Sequence, residues 1–161
     1  MKILHMISGG DVGGAKTHVL TLLHGLQREH EVQLVCFIEG AFAQEARDLG
    51  IPTLVYPSRN LHRVADQLTA LIRKRQFDVV HCHGSRANIM ARLIKRRFPQ
   101  PFLTTVPSDP WLDYMGRPLS DLVIGRSNRS ALKHFDYWVA VSDRTRELLI
   151  RRGYDPQRIY T

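Results

Sequence analysis

The chain has 161 residues, with 23 lysines and arginines against 15 aspartates and glutamates, and a formal net charge of +8. That length supports one domain core, and an apolar fraction of 43% excludes a disordered tail. No uncharged apolar stretch approaches the roughly 18 residues of a membrane span, and the run Met1–Ile7 is too short for a secretory signal.

Residues 2–7 read as a buried strand that runs into glycines, followed by Ala15, Val19, Leu22, Leu23 and Leu26 at helical spacing. Residues 32–38 read as a second strand. A short helix over 41–49 stops at Gly50, a residue suited to the left-handed position past a helix end. Pro52 opens a third strand, 53–56, and Leu61, Val64, Ala65, Leu68, Leu71 and Ile72 form the clearest apolar stripe. A fourth strand spans 77–82, and a helix from Ser85 to Arg97 buries Ala87, Met90, Ala91 and Ile94. Residues 102–106 make a fifth strand, stopped by Pro107 and Pro110. The stretch 111–134 is irregular and then helical, and 137–141 is a sixth strand. Ser142 is placed to cap a helix ending at Gly153, and residues 158–161 begin a seventh strand. Cys36 and Cys82 lie inside strand-like runs and read as buried free thiols of a reducing compartment, so the expected location is cytoplasmic.

Continuous apolar strands separated by amphipathic helices predict a single α/β domain. The expected form is a doubly wound, Rossmann-like parallel sheet of about seven strands with helices on both faces. Ligands in such sheets bind outside the carboxyl ends of the strands. That rule selects the loops 8–14, 39–40, 57–60, 83–86, 107–110 and 142–144. The basic clusters Arg73-Lys74-Arg75, Lys95-Arg96-Arg97 and Arg151-Arg152 fall at helix ends, where cations complement the helix dipole. The alternative is an anionic partner: phospholipid, a sugar diphosphate or nucleic acid. No aromatic ladder interleaves the clusters, so nucleic acid is not expected.

The first loop, Ser8-Gly9-Gly10-Asp11-Val12-Gly13-Gly14, has four glycines and leads into a helix. Bare backbone amides at a helix N-terminus suit a phosphate or diphosphate. The spacing is not Gly-x-Gly-x-x-Gly, so a dinucleotide fingerprint is absent. Gly10 to Thr17 nearly reads as an ATPase phosphate loop through Lys16-Thr17, but Ala15 stands where a glycine is needed, and no strand ends in a metal-binding aspartate. His81-Cys82-His83 closes the fourth strand with both imidazoles on one face. Two histidines invite zinc, yet no third ligand can be placed, so no metal is assigned; His81 reads as buried and hydrogen-bonded, and His83 as able to reach a ligand. Gly84-Ser85-Arg86 opens a second helix N-terminus.

Several segments together resemble the N-terminal half of a family-4, or group 1, glycosyltransferase of the GT-B fold. They are Lys2-Ile3-Leu4-His5, Gly13-Gly14-Ala15 with His18-Val19, and Phe77-Asp78-Val79-Val80-His81-Cys82-His83-Gly84. Asp136-Tyr137-Trp138-Val139-Ala140-Val141-Ser142 and Gly153-Tyr154-Asp155-Pro156-Gln157-Arg158-Ile159 complete the set, so the resemblance covers the whole chain. It implies a retaining transfer of a hexosyl group from a nucleotide-sugar donor, without an obligatory metal or other cofactor. The acceptor lies mainly on this domain and the nucleotide on a C-terminal domain that this chain lacks, so the 161-residue chain is expected to be inactive alone. Gly13 and Gly14 are implied at the donor diphosphate. Lys16, His18, His83, Ser85 and Arg86 are implied on the acceptor side, with Ser142 and Arg144 at the cleft edge. One position departs: the family carries a histidine after the fifth strand in a Thr-Val-His-Ser setting, and here the run is Thr105-Val106-Pro107-Ser108-Asp109. Proline has no side-chain donor, so either Ser108 or Asp109 substitutes, Asp109 by orienting or deprotonating an acceptor hydroxyl, or the parent enzyme is impaired. Asp109 is otherwise a turn residue before Pro110.

Trp111, Tyr114 and Met115, followed by Leu119, Leu122 and Val123 with Arg117, Arg126 and Arg129, suit either a lid over the acceptor cleft or a peripheral contact with an anionic membrane at its inner face. A reading from a different class is a stand-alone basic module that binds phosphate or anionic lipid without catalysis.

Overall fold

The computed structural model describes residues 1–10, 14–109 and 121–161. Its framework is a seven-stranded sheet in the order β3-β2-β1-β4-β5-β6-β7, with every pair parallel. The strands are β1 Lys2–Ile7, β2 Glu31–Cys36, β3 Thr53–Val55, β4 Val79–His83, β5 Phe102–Val106, β6 Tyr137–Ala140 and β7 Ile159–Tyr160. Among the described residues the α-helices are α1 Gly14–Leu26, α2 Ala41–Asp48, α3 Leu61–Arg75, α4 Gly84–Ile94, α5 Arg126–Leu132 and α6 Asp143–Arg151. Chain order reverses between β1 and β4, as in a doubly wound sheet.

Alternation along each strand sorts side chains between two cores. Leu4, Met6, Val80 and Cys82 pack with Val64, Leu68 and Ile72 of α3 and with Met90 and Ile94 of α4. Ile7, Val32, Leu34 and Cys36 face the other way, onto Val19 and Leu23 of α1 and Phe42 and Ala46 of α2. Both cysteines are buried and neither is in a disulfide. Burial of apolar area, at roughly 25 cal/mol per Å² removed from water, is the main term that closes each core.

Polar residues set where the elements begin and end. Asn60 Oδ1 accepts from the His62 and Arg63 amides at the start of α3. Ser142 Oγ accepts from the Thr145 amide at the start of α6. Gly50 and Gly153 sit at positive φ past the ends of α2 and α6, as the sequence predicts, and Gln76 takes φ 53 past α3. Two aspartates repeat one device. The Lys2 amide donates to Asp78 Oδ2 at 2.7 Å, and the Phe102 amide donates to Asp136 Oδ2 at 2.7 Å. Each carboxylate sits just before a strand and clamps the first residue of its neighbour.

Three expectations shift. The fourth strand runs Val79–His83, so His83 is a strand residue and not part of the following turn. The helix after it ends at Ile94 and tightens into a 3-10 turn over Lys95–Arg97. The seventh strand is confined to Ile159–Tyr160 and pairs Trp138 with Ile159 and Val139 with Tyr160. The basic clusters also acquire internal partners: Arg75 with Glu31, Lys95 with Asp136, Arg97 with Asp66 and Arg151 with Glu147. No helix among the described residues is long and apolar enough to cross a membrane.

Candidate functional site

The carboxyl ends of β1, β4, β5 and β6 lie side by side, and the selected loops 8–14, 83–86, 107–110 and 142–144 follow from them. After β1 the chain folds hard against the β2 loop. The Phe37 amide donates to the Ser8 carbonyl at 3.0 Å. Gly9 adopts φ +88, and a Cβ there would lie 2.7 Å from the Ile38 carbonyl oxygen. This glycine is therefore required by backbone contact alone. Gly13 lies outside the described residues; Gly14 is the first residue of α1.

Two concavities open at this end of the sheet. The larger, about 780 Å³, is lined by Pro107, Ser108, Asp109, Ser142, Arg144, Thr145, Glu147, Leu148 and Arg151. It gathers the tip of β5 and the first turns of α6. Within it Asp109 lies 4.0 Å from the Arg152 guanidinium, a partner the sequence reading did not find. The smaller, about 70 Å³, is lined by Ile7, His18, Val19, His83, Gly84, Thr105 and Pro107. Pro107, the position where the resemblance implies a histidine, borders both cavities.

Not every implied residue converges there. Lys16 Nζ is held by Glu45 Oε1 of α2 at 2.8 Å. Arg86 donates to the Ser58 carbonyl at 3.1 Å and lies over the Phe37 ring, on the β2–β3 side. Ser85 stands in the first turn of α4.

Behind the smaller cavity is a cluster that the sequence disclosed only in part. β1 pairs with β4 so that His5 lies opposite His81 and Ile7 opposite His83. His5 thus joins the two β4 histidines on one face, and is the third imidazole that spacing alone could not place. His5 Nδ1 is 3.1 Å from His83 Nε2, and His81 Nε2 is 2.8 Å from Thr105 Oγ1. All three side chains are buried. His81 is thus hydrogen-bonded as expected, and His83, though buried, lines the smaller cavity. Burial holds the His5 and His83 imidazoles well below the ordinary histidine pKa, helped by His81, and lowers His81 to about 3. At neutral pH all three rings are uncharged.

The sequence profile of glycosyltransferase family 4 matches residues 12–161. A search of curated protein sequences finds no match. Among solved structures, HepE from Anabaena in complex with UDP superposes with a TM-score of 0.75 at 17% identity, covering 99% of this chain and 43% of that one. The lipopolysaccharide outer core galactosyltransferase WaaB gives 0.70 at 16% identity, with 100% and 45% covered. A UDP-N-acetylglucosamine 2-epimerase from Listeria monocytogenes, so described provisionally, gives 0.73 at 16% identity, with 98% and 44% covered. The chain therefore spans less than half the length of these structures. At such identities they establish a shared fold, and that fold serves more than one chemistry. The family profile, matching nearly the whole chain, makes this a member of glycosyltransferase family 4.

Proposed function

We propose that this domain is the acceptor-binding half of a retaining hexosyltransferase that draws on a nucleotide-sugar donor. The observation that carries the reading is the cleft of about 780 Å³ at the carboxyl ends of β5 and β6, where Pro107, Ser108, Asp109, Ser142 and Arg144 meet. Family membership supports it, and so does the UDP bound by the similar HepE. The nucleotide would be held by a C-terminal domain, as the chain spans 43% of the length of HepE. In this reading the Gly13-Gly14 amides at the head of α1 meet the donor diphosphate, with no obligatory metal on it. The acceptor hydroxyl oxygen bonds to the anomeric carbon as the bond to the diphosphate breaks, its electrons staying on the leaving phosphate oxygen. The hydroxyl proton passes to that oxygen or to Asp109. Ser108 and Asp109 stand where Pro107 supplies no donor, and Arg144 and Ser142 orient the acceptor. His18 and His83, beside Pro107, border the reacting end.

The expected setting is cytoplasmic, either free or peripheral at an anionic membrane face. Residues 111–120 of the segment proposed for that contact lie outside the described residues; just after them Val123 and Ile124 are exposed. Loss of salt-sensitive co-sedimentation with anionic liposomes would remove the membrane contact. The transfer reading is tested by assaying the purified chain with UDP-sugars and a panel of sugar acceptors, alone and joined to a nucleotide-binding second domain. Transfer is expected only when joined, and to fall at least tenfold in Asp109→Asn and Arg144→Ala. Transfer by the chain alone contradicts the reading.

A further inference from the structure

The cluster of His5, His81 and His83 has no role in the transfer chemistry above except at the margin of His83. We infer that these three imidazoles form a binding site for a single divalent transition-metal ion of the zinc class. Each offers one ring nitrogen, and the three nitrogens lie within 4.8 Å of one another. Three neighbouring ligands with nitrogen–metal bonds of about 2.0–2.1 Å, plus one open position, are what zinc accepts. The shortest nitrogen pair, 3.1 Å between His5 and His83, is already near the spacing of two ligands on one tetrahedral ion.

The hydrogen-bond inventory points the same way. Each neutral imidazole carries one lone pair, and His5 Nδ1 and His83 Nε2 already face each other across 3.1 Å. The cluster's own bonds leave His5 Nε2 and His83 Nδ1 buried without a partner. Without an ion, one nitrogen of the 3.1 Å pair must carry a proton for the other to accept; a cation between them replaces that proton, and the ring protons then sit on His5 Nε2 and His83 Nδ1. The scaffold is rigid, since the ligands sit on two hydrogen-bonded central strands in fixed register. Thr105 Oγ1 on His81 supplies a second layer that orients the ring. The cavity of about 70 Å³ that His83 lines with His18 and Thr105 gives a route in and room for a water as fourth ligand.

The test is titration of the tag-free chain with Zn2+ alone in competition with a chromophoric chelator, and with Co2+ read by its visible absorption. One ion per chain and the intense visible band of four-coordinate Co2+ are expected. His5→Leu and His83→Leu each weaken Zn2+ binding at least thirtyfold, while exposed His24→Ala stays within threefold. Should a leucine variant fail to fold, ring-nitrogen NMR of the unmodified chain decides. Zn2+ shifting the His5, His81 and His83 rings supports the site. Shifts confined to His18, His24 or His62, or no binding of one equivalent, overturn it.

Discussion

Gly9 shows how one residue can look functional and be structural. Four glycines after a first strand suggest a phosphate cradle, but Gly9 is fixed by its positive φ and by the Ile38 carbonyl 2.7 Å from any Cβ. Gly9→Ala is expected to destabilise the fold by roughly 2–4 kcal/mol, combining left-handed strain with a forced backbone shift. Urea unfolding measures this; an unchanged midpoint would disprove the packing argument. Asp136 is similar. It bonds the Phe102 amide and pairs with Lys95, but is partly exposed, so the ion pair contributes little and the amide bond dominates. Asp136→Ala should cost about 1–2 kcal/mol, and Lys95→Ala less than about 1 kcal/mol. Equal losses in thermal unfolding of the two variants would reverse that order. His81 and His83 were legible as residues that share a face, because strand period is two. His5 was not, because spacing within one strand says nothing about which strand lies beside it.

Among the elements, helix starts were the most readable. Ser142 caps α6 with its side-chain oxygen as expected, and Asn60, not singled out in the sequence, caps α3 in the same way. Asn60→Ala is expected to cost about 1 kcal/mol, seen as a lower urea midpoint with unchanged m-value. The helix after β5 is different. Asn128 of α5 is tied to Asn88 of α4 at 2.9 Å, and Asn88 in turn accepts from Thr104 of β5 at 2.7 Å. This buried chain sets the seating of α5 on α4. Asn88→Ala orphans both partners and should cost about 2–3 kcal/mol, whereas the double variant Asn88→Leu with Asn128→Leu should recover part of it. Such a chain is invisible to periodicity, which marks apolar faces and passes over polar contacts. Strand ends were likewise misjudged by one or two residues at β4, because Asp78 reads as strand while serving as the clamp on Lys2.

At the scale of the molecule, the parallel sheet and its reversal of order place one face of loops where β1, β4, β5 and β6 end. The sequence made that architecture legible, because buried parallel strands need apolar residues on both faces. The pairing of Trp138 with Tyr154, ring centroids 4.9 Å apart, shows two of the family-like segments meeting to dock β6 on the turn before β7. The site was legible in outline only. Ser108, Asp109, Ser142 and Arg144 do share a cleft, while Lys16 and Arg86 are occupied by Glu45 and the Ser58 carbonyl. Long basic side chains reach several partners, and local sequence does not choose among them.

Amide-resolved NMR of the chain, titrated with free sugars, glycosyl phosphates and glycolipid headgroups, tests the central claim most directly. The account predicts that a sugar acceptor moves the amides of Ser108, Asp109, Ser142 and Arg144 together, and that Arg144→Ala weakens this binding at least tenfold. Binding that leaves those four amides unmoved, and shifts only residues at the amino ends of the strands such as Phe98 and Gln100, would contradict it.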